Sequence, residues 1–301
     1  MKTQIDICIC TFRRPHIVET LGSVARIERD PNWDIRLIVV DNDDTPAARE
    51  MIEAAAEELH LSMTYLHVPG RNIAIARNAC LDAATAPLMS FIDDDERVAP
   101  RWLTELMTTL QSSAADAVFG PVQGVYGPGC PDWMRQEEFH SSMPVWSGDE
   151  IATGGCGNVL MWRTAPAFAG LRFRTDLGKT GGEDTAFFSA LHKAGGRMAY
   201  AQEALVTEDV PPERASLSWL IKRRFRYGQT HAMLLLEAGK GSMISRLKAF
   251  VPAAAKAFFC FGMAMLNIFR GCRMRFWILR GVLHIGVISR LLGCREDVSY
   301  G

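Results

Sequence analysis

The sequence predicts a doubly wound α/β fold with a mostly parallel sheet, and three observations carry that prediction. Over the first 125 residues, apolar runs of strand length alternate with stretches of helical period, the mark of a parallel sheet wrapped by helices. Three helical stretches open on a proline, Pro15, Pro46 and Pro100, which suits a first helical turn because the missing N–H has no partner there anyway. Every strand-like run also exits into polar residues, and in open parallel sheets ligands sit beyond the carboxyl ends of the strands.

In chain order, Ile5–Cys10 reads as the first strand and exits into Thr11-Phe12-Arg13-Arg14-Pro15, ahead of a helix from Pro15 to about Ile27. Ile35–Val40 is the second, exiting into Asp41-Asn42-Asp43-Asp44 before a helix over Pro46–Leu59. Met63–Val68 is the third; Gly70-Arg71-Asn72 and a helix over Ile73–Ala84, bearing Arg77 and Asn78, follow it. Leu88–Ile92 runs into Asp93-Asp94-Asp95-Glu96, then a helix over Pro100–Leu110 and a fifth strand over Ala117–Val122. From Tyr126 to Glu150, Gly, Pro and Trp mark loops over one edge of the site. Gly154-Gly155-Cys156-Gly157-Asn158 precedes a short apolar run, Val159–Trp162, and Gly181-Gly182-Glu183-Asp184 opens a helical stretch over Thr185–Ala194. Two apolar stretches, Val251–Phe269 and Phe276–Gly293, are interrupted by Pro252, Lys256, Arg280, His284 and Arg290. The first is nearly long enough to span a bilayer, and the basic flanks suit helices lying on an anionic leaflet, so a membrane-associating helical tail is expected.

A formal net charge of −1 with 22% charged residues is ordinary for a folded enzyme and argues against nucleic acid as a partner. The average hides a split, since Lys240 to Arg295 holds ten Lys or Arg and no Asp or Glu, which leaves the rest of the chain net acidic. None of the eight cysteines forms a C-x-x-C pair, which argues against zinc. The N-terminus lacks a secretory signal, so a reducing cytoplasm and free thiols are expected. Neither G-x-G-x-x-G nor a Walker loop follows the first strand, so a bound phosphate compound would be held by arginine side chains and a metal.

The acidic cluster is the focus of the chemistry. Residues two apart at a strand end point to one side, so Asp93 and Asp95 are expected to face one point and Asp94 away. They either cap the helix near Pro100 or hold a hard divalent cation, which takes one or two carboxylates plus substrate phosphate oxygens. Arg71 and Arg77 are each a solvated helix residue or a fork for phosphate oxygens. Glu183-Asp184 is either an N-cap or, beside a diphosphate, a general base for an incoming hydroxyl. Lys222, Arg223, Arg224 and Arg226 are either a solvated cationic face or the source of an arginine that closes over the diphosphate. Trp133 and Trp146 are either packing residues or sugar-stacking rings.

Together these motifs resemble the family 2 inverting glycosyltransferases of GT-A fold. The resemblance rests on ICICTFRRP (Ile7–Pro15), LIVVDND (Leu37–Asp43), GRNIAIARN (Gly70–Asn78), FIDDDE (Phe91–Glu96), GGED (Gly181–Asp184) and RRFRYG (Arg223–Gly228), in the family's order. Within the family the chain looks most like bacterial exopolysaccharide transferases of the succinoglycan type. The resemblance implies a GT-A domain over 1–235, with 1–125 binding the nucleotide sugar and 126–235 the acceptor and catalytic base, and a basic apolar tail over 236–301. It implies Thr11 and Asp41 on the nucleotide base, Arg77 near the diphosphate, Asp93 on the ribose, and Asp95, with Asp93, at a Mg²⁺ or Mn²⁺ ion. Arg13, Arg71, Asn72, Asp94, Arg224 and Arg226 complete the expected donor site, Asp184 with Glu183 the catalytic pair, and Trp133, Trp146, Gly155 and Asn158 the acceptor side. The activity implied is inverting transfer of one sugar from UDP-glucose or a related UDP-hexose to a lipid-linked saccharide, in exopolysaccharide or surface-glycan synthesis at the cytoplasmic face of the inner membrane. A Q-x-x-R-W motif of processive synthases is missing, which favours single addition, and LVTEDV (Leu205–Val210) has no His where the family often shows one. The rival readings are a non-catalytic nucleotide-sugar-binding subunit of a polysaccharide assembly complex and a sugar nucleotidyltransferase.

Overall fold

The computed structural model describes residues 2–239 and 242–294. In chain order the elements begin with β1 (Thr3–Thr11), α1 (Ile17–Ala25), β2 (Trp33–Asp41), α2 (Arg49–Glu58), β3 (Met63–His67), α3 (Ile73–Ala83), β4 (Leu88–Asp93) and β5 (Glu96–Val98). Next come α4 (Trp102–Ser113), β6 (Ala117–Phe119), β7 (Val122–Tyr126), α5 (Asp132–Arg135), β8 (Val145–Ser147), β9 (Glu150–Thr153), β10 (Asn158–Trp162) and α6 (Glu183–Lys193). The chain ends with β11 (Met198–Tyr200), β12 (Val206–Val210), α7 (Leu217–Ala238), α8 (Met243–Leu266) and α9 (Gly271–Leu291). Of the tail expected over 236–301, residues 240, 241 and 295–301 lie outside the described residues. Contacts divide the chain into two compact units, one of residues 2–125 and 141–209, the other of 126–140 and 210–294.

The first unit is built on a seven-stranded sheet of order β11-β6-β10-β4-β1-β2-β3. Strands β4, β1, β2 and β3 are mutually parallel, whereas β10 runs antiparallel to both neighbours, β4 and β6. Alternate residues feed two cores, as a sheet covered on both faces requires. Ile5, Ile7 and Ile9 of β1 pack with α1, α2 and α4 around the fully buried Trp102. Cys8 and Cys10 face the other way, into a core with α3, α6 and the stacked rings of Phe173 and Phe187. A second sheet of order β5-β12-β7 and the β8–β9 hairpin complete the unit.

Register positions the site. Thr11 lies opposite Asp41 and Cys10 opposite Asp93, so three strand exits share one edge of the sheet. Because β10 is reversed, with Asn158 opposite Ile92, its first residues also reach that edge and bring the Gly154–Gly157 loop to Asp93. Three helices start later than expected, at Ile17, Arg49 and Trp102; Pro15, Pro46 and Pro100 lie before them rather than in their first turns. The segment expected as loops from Tyr126 to Glu150 contains α5 and β8.

The second unit is helical. In it α9 packs against both α7 and α8, with Ala232, Ala253, Val287 and Leu291 in one core and Met134, Phe139, Leu220 and Leu279 in another. α7 and α9 cross at glycines: a Cβ on Gly228 would sit 1.9 Å from the Leu283 carbonyl oxygen, and one on Gly286 2.0 Å from that of Phe225. Only hydrogen side chains admit so close an approach. Residues 235 and 236, where the sequence suggested a domain end, lie inside α7. Pro252 lies within α8, which is long and apolar enough to cross a membrane by length and composition.

Candidate active site

Asp41 ends β2 and is 1% exposed. The Tyr65 hydroxyl donates to its Oδ2 at 2.6 Å and the Asp43 backbone N–H to its Oδ1 at 3.0 Å. A carboxylate offers about four lone-pair sites, so Asp41 retains capacity for a further donor. Arg13 Nε donates to both oxygens of Asp43, at 3.0 and 2.9 Å, and Arg71 pairs with Asp44. Both arginines hold a left-handed backbone, φ 56° and 45°, which is uncommon outside glycine and recurs at ligand sites.

The next exit holds a denser cluster. Arg77 of α3, 5% exposed, is ion-paired with Glu183 and lies 3.3 Å from Asp93. Gly181 and Gly182, at φ 90° and 92°, turn the chain into α6, a conformation no side-chain-bearing residue adopts without strain. Glu183 and Asp184 therefore occupy the first helical turn, and the N-cap is Gly182. Asp184 Oδ1 accepts the Thr185 N–H at 2.6 Å; its Oδ2 lies 3.4 Å from where a Cβ on Gly155 would stand. A Cβ on Gly157 would meet Glu96 Oε1 at 2.4 Å and Asp93 Oδ2 at 3.4 Å. The Gly154–Gly157 loop thus closes on the carboxylates through the residues that lack side chains.

Four carboxylates, Asp93, Glu96, Glu183 and Asp184, consequently gather near one guanidinium. Burial, with Asp184 beside it, pushes the Glu183 carboxyl up to about 7 against the opposing pull of Arg77. Burial and then Asp93 push Glu96 well above the usual carboxylate range. Such an excess of negative charge suits a cation. The Asp93 side chain is 43% exposed and so is open to one. Among the described residues no three metal-binding side chains form a cage of their own, and Mg²⁺ or Mn²⁺ bound by one or two carboxylates and substrate phosphates does not need one. The residues present fit an ion shared with a diphosphate.

The strand geometry used to pair Asp93 with Asp95 does not hold. β4 ends at Asp93 and a turn follows, so strand alternation does not carry on to Asp95, which pairs with Arg14. Asp94, expected to face away, is 7% exposed and accepts from Thr11 Oγ1 at 2.7 Å. Burial pushes its carboxyl up to about 6, with Arg14 and Thr11 opposing. Asn72 is the N-cap of α3, its Oδ1 accepting from the Ala74 and Ile75 N–H groups. Asn158 is committed inside the fold: Trp102 Nε1 donates to its Oδ1 at 2.8 Å, and its Nδ2 donates to the Pro121 and Ala204 carbonyls at 2.9 and 2.7 Å.

Trp146 is 43% exposed and meets Tyr200 edge-on at 5.5 Å. Trp133, Arg224 and Arg226 belong to the second unit; there Trp133 lies under the Arg275 guanidinium at 4.8 Å, and Arg224 lies 6.0 Å from the Tyr227 ring. Sequence reasoning missed Arg14, Asp43, Tyr65 and Glu96 as parts of the site. Arg14 and Asp43 stood in quoted motifs, and Glu96 was visible as a fourth acid, but nothing in the sequence signalled its burial.

The model of glycosyl transferase family 2 matches residues 6–187. The succinoglycan biosynthesis protein ExoM of Rhizobium meliloti (strain 1021) is 48% identical over 297 residues, spanning 99% of this chain and 96% of that protein. Mannosyltransferase PcManGT from Pyrobaculum calidifontis, solved in complex with GDP-Man and Mn²⁺, superposes with a TM-score of 0.65 at 18% identity, over 97% of this chain and 88% of that one. S. aureus TarS 1-349 in complex with UDP-GlcNAc gives a TM-score of 0.54 at 16% identity, over 100% and 99%. These two structures share the GT-A fold with this chain.

Proposed function

We propose that this chain, which belongs to glycosyl transferase family 2, moves one hexose from a UDP-sugar such as UDP-glucose to a hydroxyl of a lipid-linked saccharide during exopolysaccharide assembly, with inversion at the anomeric carbon. The observation that carries the reading is the Arg77 cluster, in which the β4 exit and the start of α6 meet on one guanidinium. The similarity to a succinoglycan biosynthesis protein supports the pathway class.

Asp41, with Tyr65 behind it, receives a donor from the nucleotide base, and Thr11 with Asp94 braces the neighbouring exit. Arg13 and Arg71, themselves largely exposed and held by Asp43 and Asp44, exchange those partners for the donor's phosphates. Asp93, with Asp95 released from Arg14, would hold Mg²⁺ or Mn²⁺ beside the diphosphate. When bound, that cation supplies charge neutralisation on the departing diphosphate. Asp184, partly exposed, takes the acceptor's proton at a carboxylate oxygen, while Glu183, buried on Arg77, positions it. Attack from the face opposite the leaving group gives inversion in one displacement.

The enzyme works at the cytoplasmic face of the inner membrane in this reading; the apolar α8, with Met243, Ile244, Leu247, Phe258 and Phe269 exposed on or just after it, supports the membrane association. A panel of UDP-sugars, assayed for free UDP with lipid-linked acceptors, with Mg²⁺ or Mn²⁺ and with chelator, tests the reading. Asp184→Asn keeps an oxygen for the Thr185 N–H; it lowers transfer by roughly 10²–10⁴-fold with UDP binding retained. Undiminished transfer in that variant removes the assigned base. Release of pyrophosphate instead of UDP identifies a nucleotidyltransferase, and absence of turnover with donor still bound identifies a binding subunit.

A further inference from the structure

The second unit contains a groove that no step of sugar transfer occupies. Between α8 and α9 a cavity of about 280 Å³ is lined by Lys256, Phe259, Cys260, Trp277, Arg280 and His284. Phe259 and Trp277 form its aromatic wall, edge to face at 5.7 Å, and the Arg280 guanidinium lies 5.9 Å from the Trp277 ring. Lys256 and Arg280 are exposed at its rim. Lys256 and Arg280 are the groove's two cations, and His284 lies close enough to feel both. From 240 to 295 the chain has no Asp or Glu, and among the described residues neither Lys256 nor Arg280 forms an ion pair. Two cations beside one cavity, with no carboxylate between them, favour an anionic occupant.

The outer face of α8 narrows the choice of anion. Ile244, Leu247, Val251, Phe258 and Met265 recur at helical spacing and are 57–85% exposed. Phe259, 58% exposed, is at once the groove's wall and the neighbour of that stripe. A small soluble anion has no use for an apolar stripe, whereas an amphiphile with a phosphate head uses both features. We propose that the groove binds the headgroup phosphate of an anionic phospholipid, with the acyl chains against the α8 stripe. This deepens the membrane association proposed above and is independent of the transfer chemistry.

The test is flotation of the full chain with vesicles of phosphatidylcholine alone or equimolar with phosphatidylglycerol. Lys256→Gln/Arg280→Gln is compared with Lys248→Gln/Arg273→Gln, which removes the same charge outside the groove. The groove variant loses affinity for the anionic vesicles roughly tenfold beyond the control, the contribution of charge-assisted bonds to one phosphate. Equal losses in both variants mean diffuse attraction and overturn the proposal. If the double variant loses its helical circular dichroism, Lys256→Gln alone, at an exposed position, carries the comparison. Native mass spectrometry then identifies the occupant: phosphatidylglycerol retained by wild type and absent from the groove variant supports the assignment, and preferential retention of an equal concentration of polyprenyl phosphate overturns it. UDP release measured on the same samples keeps the two readings separate: a groove variant that loses lipid binding with transfer intact supports the groove, and equal lipid losses in both variants with transfer intact overturn only the groove.

Discussion

The sheet unit and the helical unit handle charge in opposite ways. In the first, Arg13, Arg14, Arg36, Arg71, Arg77 and Arg97 each face at least one carboxylate, as in Arg36 on Asp6 and Arg97 on Asp209. In the second, Lys256 of α8 and Arg280 of α9 form no ion pair among the described residues. The contrast teaches two routes to an anion site. Paired charges keep a pocket folded while empty and bind by exchanging one partner for a phosphate; unpaired ones wait for an anion from outside and are tolerated only where water or headgroups reach them.

The sharpest way to break the first half of that contrast is Arg77→Met. It strands the buried Glu183, and removing one partner of a buried pair costs about 3–5 kcal/mol. Urea unfolding measures it; a loss below about 1 kcal/mol, the worth of a surface pair, means the cluster is solvated rather than buried. The helical unit should fail through packing instead. Gly228→Ala puts a methyl group against the Leu283 backbone, which cannot rotate away, so α7 and α9 must separate at a cost of about 3 kcal/mol, the upper part of the usual overpacking range. Unchanged thermal unfolding of that variant shows that the crossing has slack.

How much of this was legible before the structure depended on the kind of signal. β1, β2 and β4 were readable because a strand buried on both faces is a continuous apolar run, and Asn72 before Ile73 marks the start of α3 with an ordinary N-cap. The reversed β10 was not, since five residues carry no direction. Its reversal is what delivers Gly155 and Gly157 to the carboxylates. Likewise, strand alternation was extended one turn too far past Asp93, and the prolines marked approaches to helices, not first turns. Which arginine would be buried could not be read at all: Arg71 and Arg77 look alike in sequence, yet one is exposed on Asp44 and the other is buried on Glu183, 106 residues further along the chain.

The smallest expected effect separates burial from pairing inside the sheet unit. Asp94 has both a hydrogen bond from Thr11 and a nearby Arg14, yet burial dominates and holds its carboxyl at about 6, above the unfolded 3.8. A raised carboxyl binds its proton more tightly when folded, so its contribution is fully present below about pH 4 and is lost as pH rises through about 6. That shift corresponds to at most about 3 kcal/mol. Asp94→Asn keeps an acceptor for Thr11 and never ionises, and the attraction of Arg14 is already contained in the net shift. The variant should therefore be roughly 2–3 kcal/mol more stable than wild type at pH 7, with the advantage vanishing by about pH 4. Urea denaturation across that range reads the difference directly. A difference that stays constant with pH would show that pairing, not burial, sets the state of Asp94, and that this unit's carboxylates are as well compensated as the ion pairs suggest.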